Sequence, residues 1–249
     1  MEKSTVGMVN RKSDVRRTSN EEQEDSETSN EYQADLTPPV ETVFLSGATG
    51  SLGSEVLRIL LARGFNVKIL VRDINRVSPI FLKQWDELPG SIEEIVEGDL
   101  SLSDGATKGR IFSGMRDCSI VYHCAGIPEG WQVHEEIWDA VNRNGTEVML
   151  AAADAAKVRV FVHISSFETI LFNRQSCNSE ISSKQTPYQR SKLNAEAAVE
   201  LARSKSKGMR YVIINSASFY GPTSRTCWVN HFILSMLSGK DTKVTPALV

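Results

Sequence analysis

No apolar run in this sequence approaches the roughly 18 residues that a membrane span requires, and no hydrophobic signal core opens it. Neither a membrane-spanning nor a secreted protein is expected. Cysteine is scarce: Cys118, Cys124, Cys177 and Cys227 are scattered without C-x-x-C spacing, and they share no ligand spacing with the four histidines. That pattern reads as reduced thiols in a cytosolic compartment, not a disulfide frame or a zinc site. A basic excess is also missing, since the formal net charge is -3. Residues 1–40 hold five Lys/Arg against nine Asp/Glu, which leaves 23 against 22 for the remainder. A near-neutral remainder offers no face for nucleic acid.

Aromatics are nearly absent from residues 1–40, which are rich in Ser, Asn, Gln and Glu. Such a composition cannot offset the entropy of ordering, so a disordered tail ending at Pro38-Pro39 is expected. An organelle transit peptide is the alternative reading of its Arg- and Ser-containing start, and the acidic run Glu21 to Glu27 argues against it. A cytoplasmic location follows as the expectation.

From Thr42 the pattern changes to short apolar runs alternating with amphipathic segments of helical length, the mark of βαβ units around a parallel sheet. Strands are predicted at Val43–Ser46, Val67–Val71, Ile92–Val96, Ile120–His123, Val160–Ile164 and Tyr211–Asn215, and helices at Ser54–Arg63, His134–Ala156 and Tyr188–Lys205. Gly64 is the expected stop of the first helix. The fold class is α/β: a Rossmann-type, doubly wound parallel sheet with helices on both faces.

The segment Val43-Phe-Leu-Ser-Gly-Ala-Thr-Gly-Ser-Leu-Gly53 puts Gly47, Gly50 and Gly53 where a strand turns into a helix. Backbone can approach a pyrophosphate there, and the helix N-terminus offers unpaired N–H groups and the positive end of its dipole. Thr49, Ser51 and Leu52 complete the candidate phosphate loop. A merely structural Gly-rich turn is the alternative, and the strand before and helix after argue against it. After the second strand come Arg72 and Asp73. An arginine suits the 2′-phosphate of NADP and a carboxylate suits the ribose 2′-OH of NAD. Arg72 stands at the strand end, which favours NADP; an Arg72–Asp73 surface ion pair is the bland alternative.

Tyr188 and Lys192 lie four apart near the start of a helix and therefore on one face. A lone Tyr-x-x-x-Lys carries little, but this pair follows Ser165-Ser166 at a strand end on the edge that bears the phosphate loop. A free tyrosine titrates near pH 10, and a neighbouring ammonium favours its phenolate.

Seven segments in one order, Ser46–Gly53, Gly98–Leu100, Tyr122–Gly126, Val141–Thr146, His163–Ser166, Tyr188–Lys192 and Phe219–Pro222, resemble the extended short-chain dehydrogenase/reductases. This is the NAD(P)-dependent epimerase/dehydratase family, which includes dihydroflavonol-reductase-like and 3β-hydroxysteroid-dehydrogenase-like enzymes. The resemblance implies that Asp99 and Leu100 flank the adenine and that Ala125-Gly126 form the turn under its ribose. It implies that Ser166 is the catalytic serine, Tyr188 the acid/base, and Lys192 its partner and holder of the nicotinamide ribose. Asn142 resembles the helix asparagine that supports the active-site lysine. Dimerisation through the two long helices is common in the family.

The implied activity is hydride transfer between a nicotinamide cofactor, NADP or NAD, and a small-molecule ketone or secondary alcohol. The alternatives are a nucleotide-sugar epimerase or dehydratase holding NAD tightly, and a non-catalytic cofactor-binding protein. Two departures stand out. Asn215-Ser216 replace the family's usual Arg-Pro, and about 27 residues follow Pro222 where members continue into a substrate-binding lobe. The expected organisation is a tail (1–40), a cofactor domain (41–222) and the start of a largely missing substrate lobe (223–249). Residues Phe167–Pro187 are expected to form a loop, and Trp228–Leu237 a helix.

Overall fold

The computed structural model describes residues 41–102, 104–128, 133–175, 185–221 and 236–238. The expected tail, Cys177, Cys227 and most of the expected helix at 228–237 lie outside them. Among the described residues, six strands form one parallel sheet in the order β3-β2-β1-β4-β5-β6. The strands are β1 (Thr42–Ser46), β2 (Asn66–Val71), β3 (Ser91–Glu97), β4 (Ile120–His123), β5 (Val160–Ser166) and β6 (Arg210–Ser216). The order reverses between β1 and β4, and the carboxyl edge at such a switch point is where doubly wound sheets bind ligands.

The central strands β1, β2, β4 and β5 carry largely buried apolar runs because both faces are covered, whereas the outer strands β3 and β6 keep several exposed residues. On one face Val43, Leu45, Val67, Ile69 and Val71 pack with Leu57, Leu60 and Leu61 of α1 (Ser51–Ala62). The short α2 (Pro79–Lys83) adds the partly buried Phe81 to the same side. On the other face Phe44, Leu70, Val121 and Phe161 meet Ile111 of α3 (Gly105–Gly114), Met149 and Leu150 of α5 (Gly145–Ala155), and Val199 of α7 (Pro187–Lys205). Each large side chain fully buried this way contributes about 1.5–3 kcal/mol. The sheet face also takes in one charge: Lys68 of β2 donates to the Arg116 carbonyl at 3.2 Å and pairs with Glu94 of β3 at 3.3 Å.

Helix ends follow from local chemistry. Gly64 (φ +82°) closes α1 as expected: its N–H donates to the Leu61 carbonyl, and that of Phe65 to Leu60, the paired bonds of a left-handed cap. Thr186 and Gln189 form a reciprocal capping box at α7, and Pro187 occupies the first turn, where its missing N–H costs nothing.

Three sequence expectations need correction. The helix expected over His134–Ala156 is α4 (Glu135–Trp138), a widened π turn (Asp139–Asn144) and then α5, because Asn142 turns inward to bonds that a regular helix would not reach. The loop expected from Phe167 begins instead with α6 (Phe167–Gln175), directly after β5. The first helix starts at Ser51, three residues earlier than expected, so Ser51, Leu52 and Gly53 lie in its first turn.

Candidate active site

Gly47 has φ +75°, the left-handed region that favours glycine. A Cβ there would also sit 2.7 Å from the Ala125 nitrogen, so the β1 turn and the β4 turn touch backbone to backbone. Gly53 is tighter still: its Cβ would lie 2.0 Å from the Gly47 carbonyl oxygen. Gly50 precedes α1 without any side-chain cap bond, and the half-buried Thr49, Ser51 and Leu52 follow the same curve. The helix N-terminus therefore presents amide groups and positive dipole over a bare backbone cradle. These features fit a dinucleotide diphosphate.

A buried chain of hydrogen bonds ties this loop to the next. The Ala125 N–H donates to Ser46 Oγ (3.2 Å), and Ser46 Oγ lies 2.7 Å from His123 Nδ1. His123 Nε2 lies 3.0 Å from Thr146 Oγ1, which donates to the Asn142 carbonyl at 2.6 Å. Thr146 has one hydroxyl proton and spends it on Asn142, so His123 must donate from Nε2 and accept at Nδ1 from Ser46. The neutral tautomer is thereby fixed, and burial with the Lys192 charge nearby drives the His123 pKa down to about 3. His163, stacked 5.5 Å from it on β5, is held well below the ordinary imidazole range by burial and by His123 and Lys192.

Asn142 continues the network. Its Oδ1 accepts from the Ile127 N–H at 2.8 Å, and its Nδ2 donates to the Ile127 carbonyl (3.2 Å) and to Ser191 Oγ (2.9 Å). Ser191 in turn donates to the Tyr188 carbonyl at 2.7 Å. One asparagine therefore fastens the segment after Gly126 to the first turn of α7.

On α7, Tyr188, Ser191, Lys192, Ala195 and Val199 form the buried stripe, at helical spacing. Lys192 Nζ donates to the Ile164 carbonyl of β5 at 3.1 Å. Gly126 lies beneath: a Cβ there would be 3.4 Å from Lys192 Nζ and 3.1 Å from Asn142 Oδ1. Burial lowers the Lys192 pKa to about 8, against the opposing pull of Glu196 and Cys124. Cys118 and Cys124 are free thiols, each pushed up to about 12 by burial. Ser166 ends β5, buried, its Oγ accepting from the Glu168 N–H at 3.4 Å.

At the adenine end, Asp99 accepts from the backbone and hydroxyl of Ser101 (2.9 and 2.8 Å). Leu100 is mostly buried against Gly145 and lines, with Ser101, Phe112, Asn144 and Val148, a cavity of about 470 Å³. Asp73 accepts from the Asn75 N–H at 2.9 Å and caps the short helix Ile74–Arg76. Arg72 is exposed, and among the described residues it forms no ion pair with Asp73, which removes the bland alternative.

The structure brings Gly47, Gly53, Ala125, Gly126, Asn142, Tyr188, Lys192 and Ser166 to one sheet edge. Sequence reasoning missed Thr169 and Glu196 and quoted Ser46, His123, Thr146 and Ser191 only within motifs, without giving them a role. Their types read as ordinary strand and helix residues, and only the packing reveals them as bonded partners. Among the described residues, no helix is long and apolar enough to cross a membrane, and no cluster of side chains could hold a metal.

The sequence profile of the NAD dependent epimerase/dehydratase family matches residues 43–247. Sterol demethylase protein B of Methylococcus capsulatus is 31% identical over 82% of this chain and 60% of its own length. A decarboxylating sterol-4-alpha-carboxylate 3-dehydrogenase of Candida albicans is 26% identical over 76% of this chain and 54% of its own. A short-chain dehydrogenase/reductase superfamily protein from Agrobacterium tumefaciens, crystallised with bound NAD, superimposes with a TM-score of 0.53 at 25% identity, covering 70% of this chain and 48% of that one. The chain thus spans about half to three fifths of the length of these proteins.

Proposed function

Because the chain belongs to the NAD dependent epimerase/dehydratase family, within the extended short-chain dehydrogenase/reductases, we propose that it transfers hydride between NAD(P) and a ketone or secondary alcohol through Ser166, Tyr188 and Lys192. The observation that carries this reading is the placement of Lys192 Nζ, bonded to the Ile164 carbonyl and 3.4 Å from where a Gly126 Cβ would stand. That position lies between Gly126, in the turn after β4, and Ile164 of β5.

When bound, the nicotinamide supplies or accepts the hydride. The chain's own residues do the rest. Gly47, Gly50 and Gly53 keep side chains out of the diphosphate's way, and Thr49, Ser51 and Leu52 carry the amides of the α1 terminus. Asp99, Leu100, Ala125 and Gly126 line the adenosine half. Lys192 holds positive charge beside Tyr188, which favours loss of the phenolic proton and brings Tyr188 closer to a working acid/base. Tyr188 delivers that proton to the substrate oxygen during reduction and recovers it during oxidation. Ser166 donates a hydrogen bond to the same oxygen as charge develops on it. Asn142 fixes Ser191 and the segment at Ile127, and so holds α7 in place.

Arg72, exposed and without an ionic partner among the described residues, supports NADP over NAD, since a guanidinium suits a phosphate dianion. The relatives named as sterol enzymes support a ring alcohol or ketone as substrate. The family's epimerases and dehydratases favour a second reading, a nucleotide-sugar reaction in which the hydride returns to the substrate on tightly held NAD. Titrating the chain with NADPH and NADH, followed by a panel of sterol ketones and nucleotide sugars, decides between them. Tighter NADPH binding with net ketone reduction supports the first reading. Co-purified NAD with sugar turnover supports the second, and absence of binding by either cofactor overturns both.

A further inference from the structure

Behind Ser166, α6 and β6 both reach one carboxylate of α7. Thr169 Oγ1, 1% exposed at the start of α6, lies 2.6 Å from Glu196 Oε1 of α7 and 2.7 Å from the Ser166 carbonyl oxygen. Asn215 Nδ2 of β6 lies 2.6 Å from the same Oε1, 2.8 Å from Thr169 Oγ1 and 3.3 Å from the Ser166 carbonyl. The register pairs Ser165 with Asn215 and Ser166 with Ser216, which brings Asn215 alongside the end of β5.

The proton count is telling. Thr169 offers one proton and the Asn215 amide two, against three acceptors: the Ser166 carbonyl, Thr169 Oγ1 and Glu196 Oε1. The set closes with Glu196 Oε1 acting as an acceptor. Glu196 also stands four residues after Lys192 and eight after Tyr188, so the three share one face of α7.

We propose that Glu196 is a positioning residue coupling the two halves of the site, holding the Ser166 backbone through Thr169 and Asn215 and supplying the counter-charge of the Lys192 ammonium. This rests on the roles given above to Ser166 and Lys192. Around Lys192, Cys124 and His123 beside β4 are uncharged in the neutral range, their pKa values displaced by burial to about 12 and about 3, His163 on β5 is likewise neutral, and Tyr188 lies one turn earlier on the same helix. Glu196 is the carboxylate that opposes the desolvation of Lys192. A neutral Asn215, unlike an arginine, leaves the Glu196 charge uncompensated and so available to the lysine.

The test is a carbon-13 titration of the full chain labelled at lysine Cε, with Lys192→Met assigning the signal, without cofactor or substrate. Glu196→Gln is expected to lower the Lys192 midpoint by roughly one pH unit. Glu196→Asp, which keeps the charge, is expected to restore most of that shift. Thr169→Val and Asn215→Ala are expected to leave the midpoint in place while lowering turnover by about tenfold, as loosened positioning of a hydrogen-bonding group does. An unmoved midpoint in Glu196→Gln, or equal midpoints in the Gln and Asp variants, overturns the proposal, as does full turnover in both partner variants. A merely structural Glu196 would lower the unfolding midpoint without this charge-dependent pattern. Because the titration needs no catalysis, its failure is separable from failure of the Ser-Tyr-Lys reading, which would appear as unchanged turnover in Tyr188→Phe.

Discussion

Lys192 Nζ donates to the Ile164 carbonyl at 3.1 Å, two residues before Ser166, so one hydrogen bond sets the distance between α7 and the strand that ends in the serine. That bond holds a buried ammonium whose pKa falls to about 8 from 10.5. The unfolded chain therefore binds the proton more tightly, and burial of the charge destabilises the fold at neutral pH by about 3 kcal/mol. The penalty shrinks as pH rises from about 8 to 10.5. Lys192→Met is expected to raise stability by about 1–3 kcal/mol in denaturant titrations at pH 7 while removing activity. A less stable variant would contradict this.

The two buried histidines predict the acid limb of stability. Folded His123 titrates at about 3 and His163 well below 6.5, whereas both take up a proton near 6.5 once unfolded. Below that pH the unfolded state takes up protons that the folded histidines resist, so stability is expected to fall by up to roughly 2–3 kcal/mol per pH unit as the pH drops below about 6.5. His163→Phe, which also removes two ring nitrogens without a hydrogen-bond partner, is expected to halve that slope. Unfolding free energies between pH 6.5 and 4.5 check it.

Gly53→Ala would drive a Cβ to 2.0 Å from one backbone atom, the Gly47 oxygen, and 2.6 Å from another, the Gly47 carbon, neither able to swing away. A loss of more than about 3 kcal/mol and of cofactor binding is expected. Gly109→Ala in α3 is the control: nothing lies within 4 Å, and a gain of about 1 kcal/mol is expected from the better helix former.

Much of this was legible in the sequence, for specific reasons. Central parallel strands buried on both faces write apolar runs, and the outer strands β3 and β6 keep enough apolar residues to be seen, so all six strands were locatable, with ends off by up to two residues. The phosphate loop was legible because φ +75° at Gly47 and the Gly53–Gly47 contact tolerate no side chain. The π turn was not, since it depends on Asn142 reaching Ile127 and Ser191, which are 15 residues before it and 49 after it. Helix α6 was missed because its residues show almost no amphipathic contrast. The Glu196 cluster joins β5, α6, α7 and β6, and no local pattern announces such a meeting.

On the proposed reading, cofactor choice turns on Arg72. Arg72→Ala is expected to weaken NADPH binding by about 10- to 100-fold and to leave NADH within about threefold, because a charge-assisted phosphate contact contributes roughly 1.5–3 kcal/mol. Fluorescence titration of both cofactors measures the ratio. Equal weakening of the two would assign the 2′-phosphate contact elsewhere.

The most direct measurement is ketone reduction by Tyr188→Phe, alongside its NADPH affinity. Removing one hydroxyl from a buried ring leaves the cradle of Gly47–Gly53 and the Lys192 bond to Ile164 in place. Turnover should fall by at least about a thousandfold while NADPH binding stays within about threefold of the parent. Turnover that survives the loss of the phenol would contradict the role assigned to Tyr188.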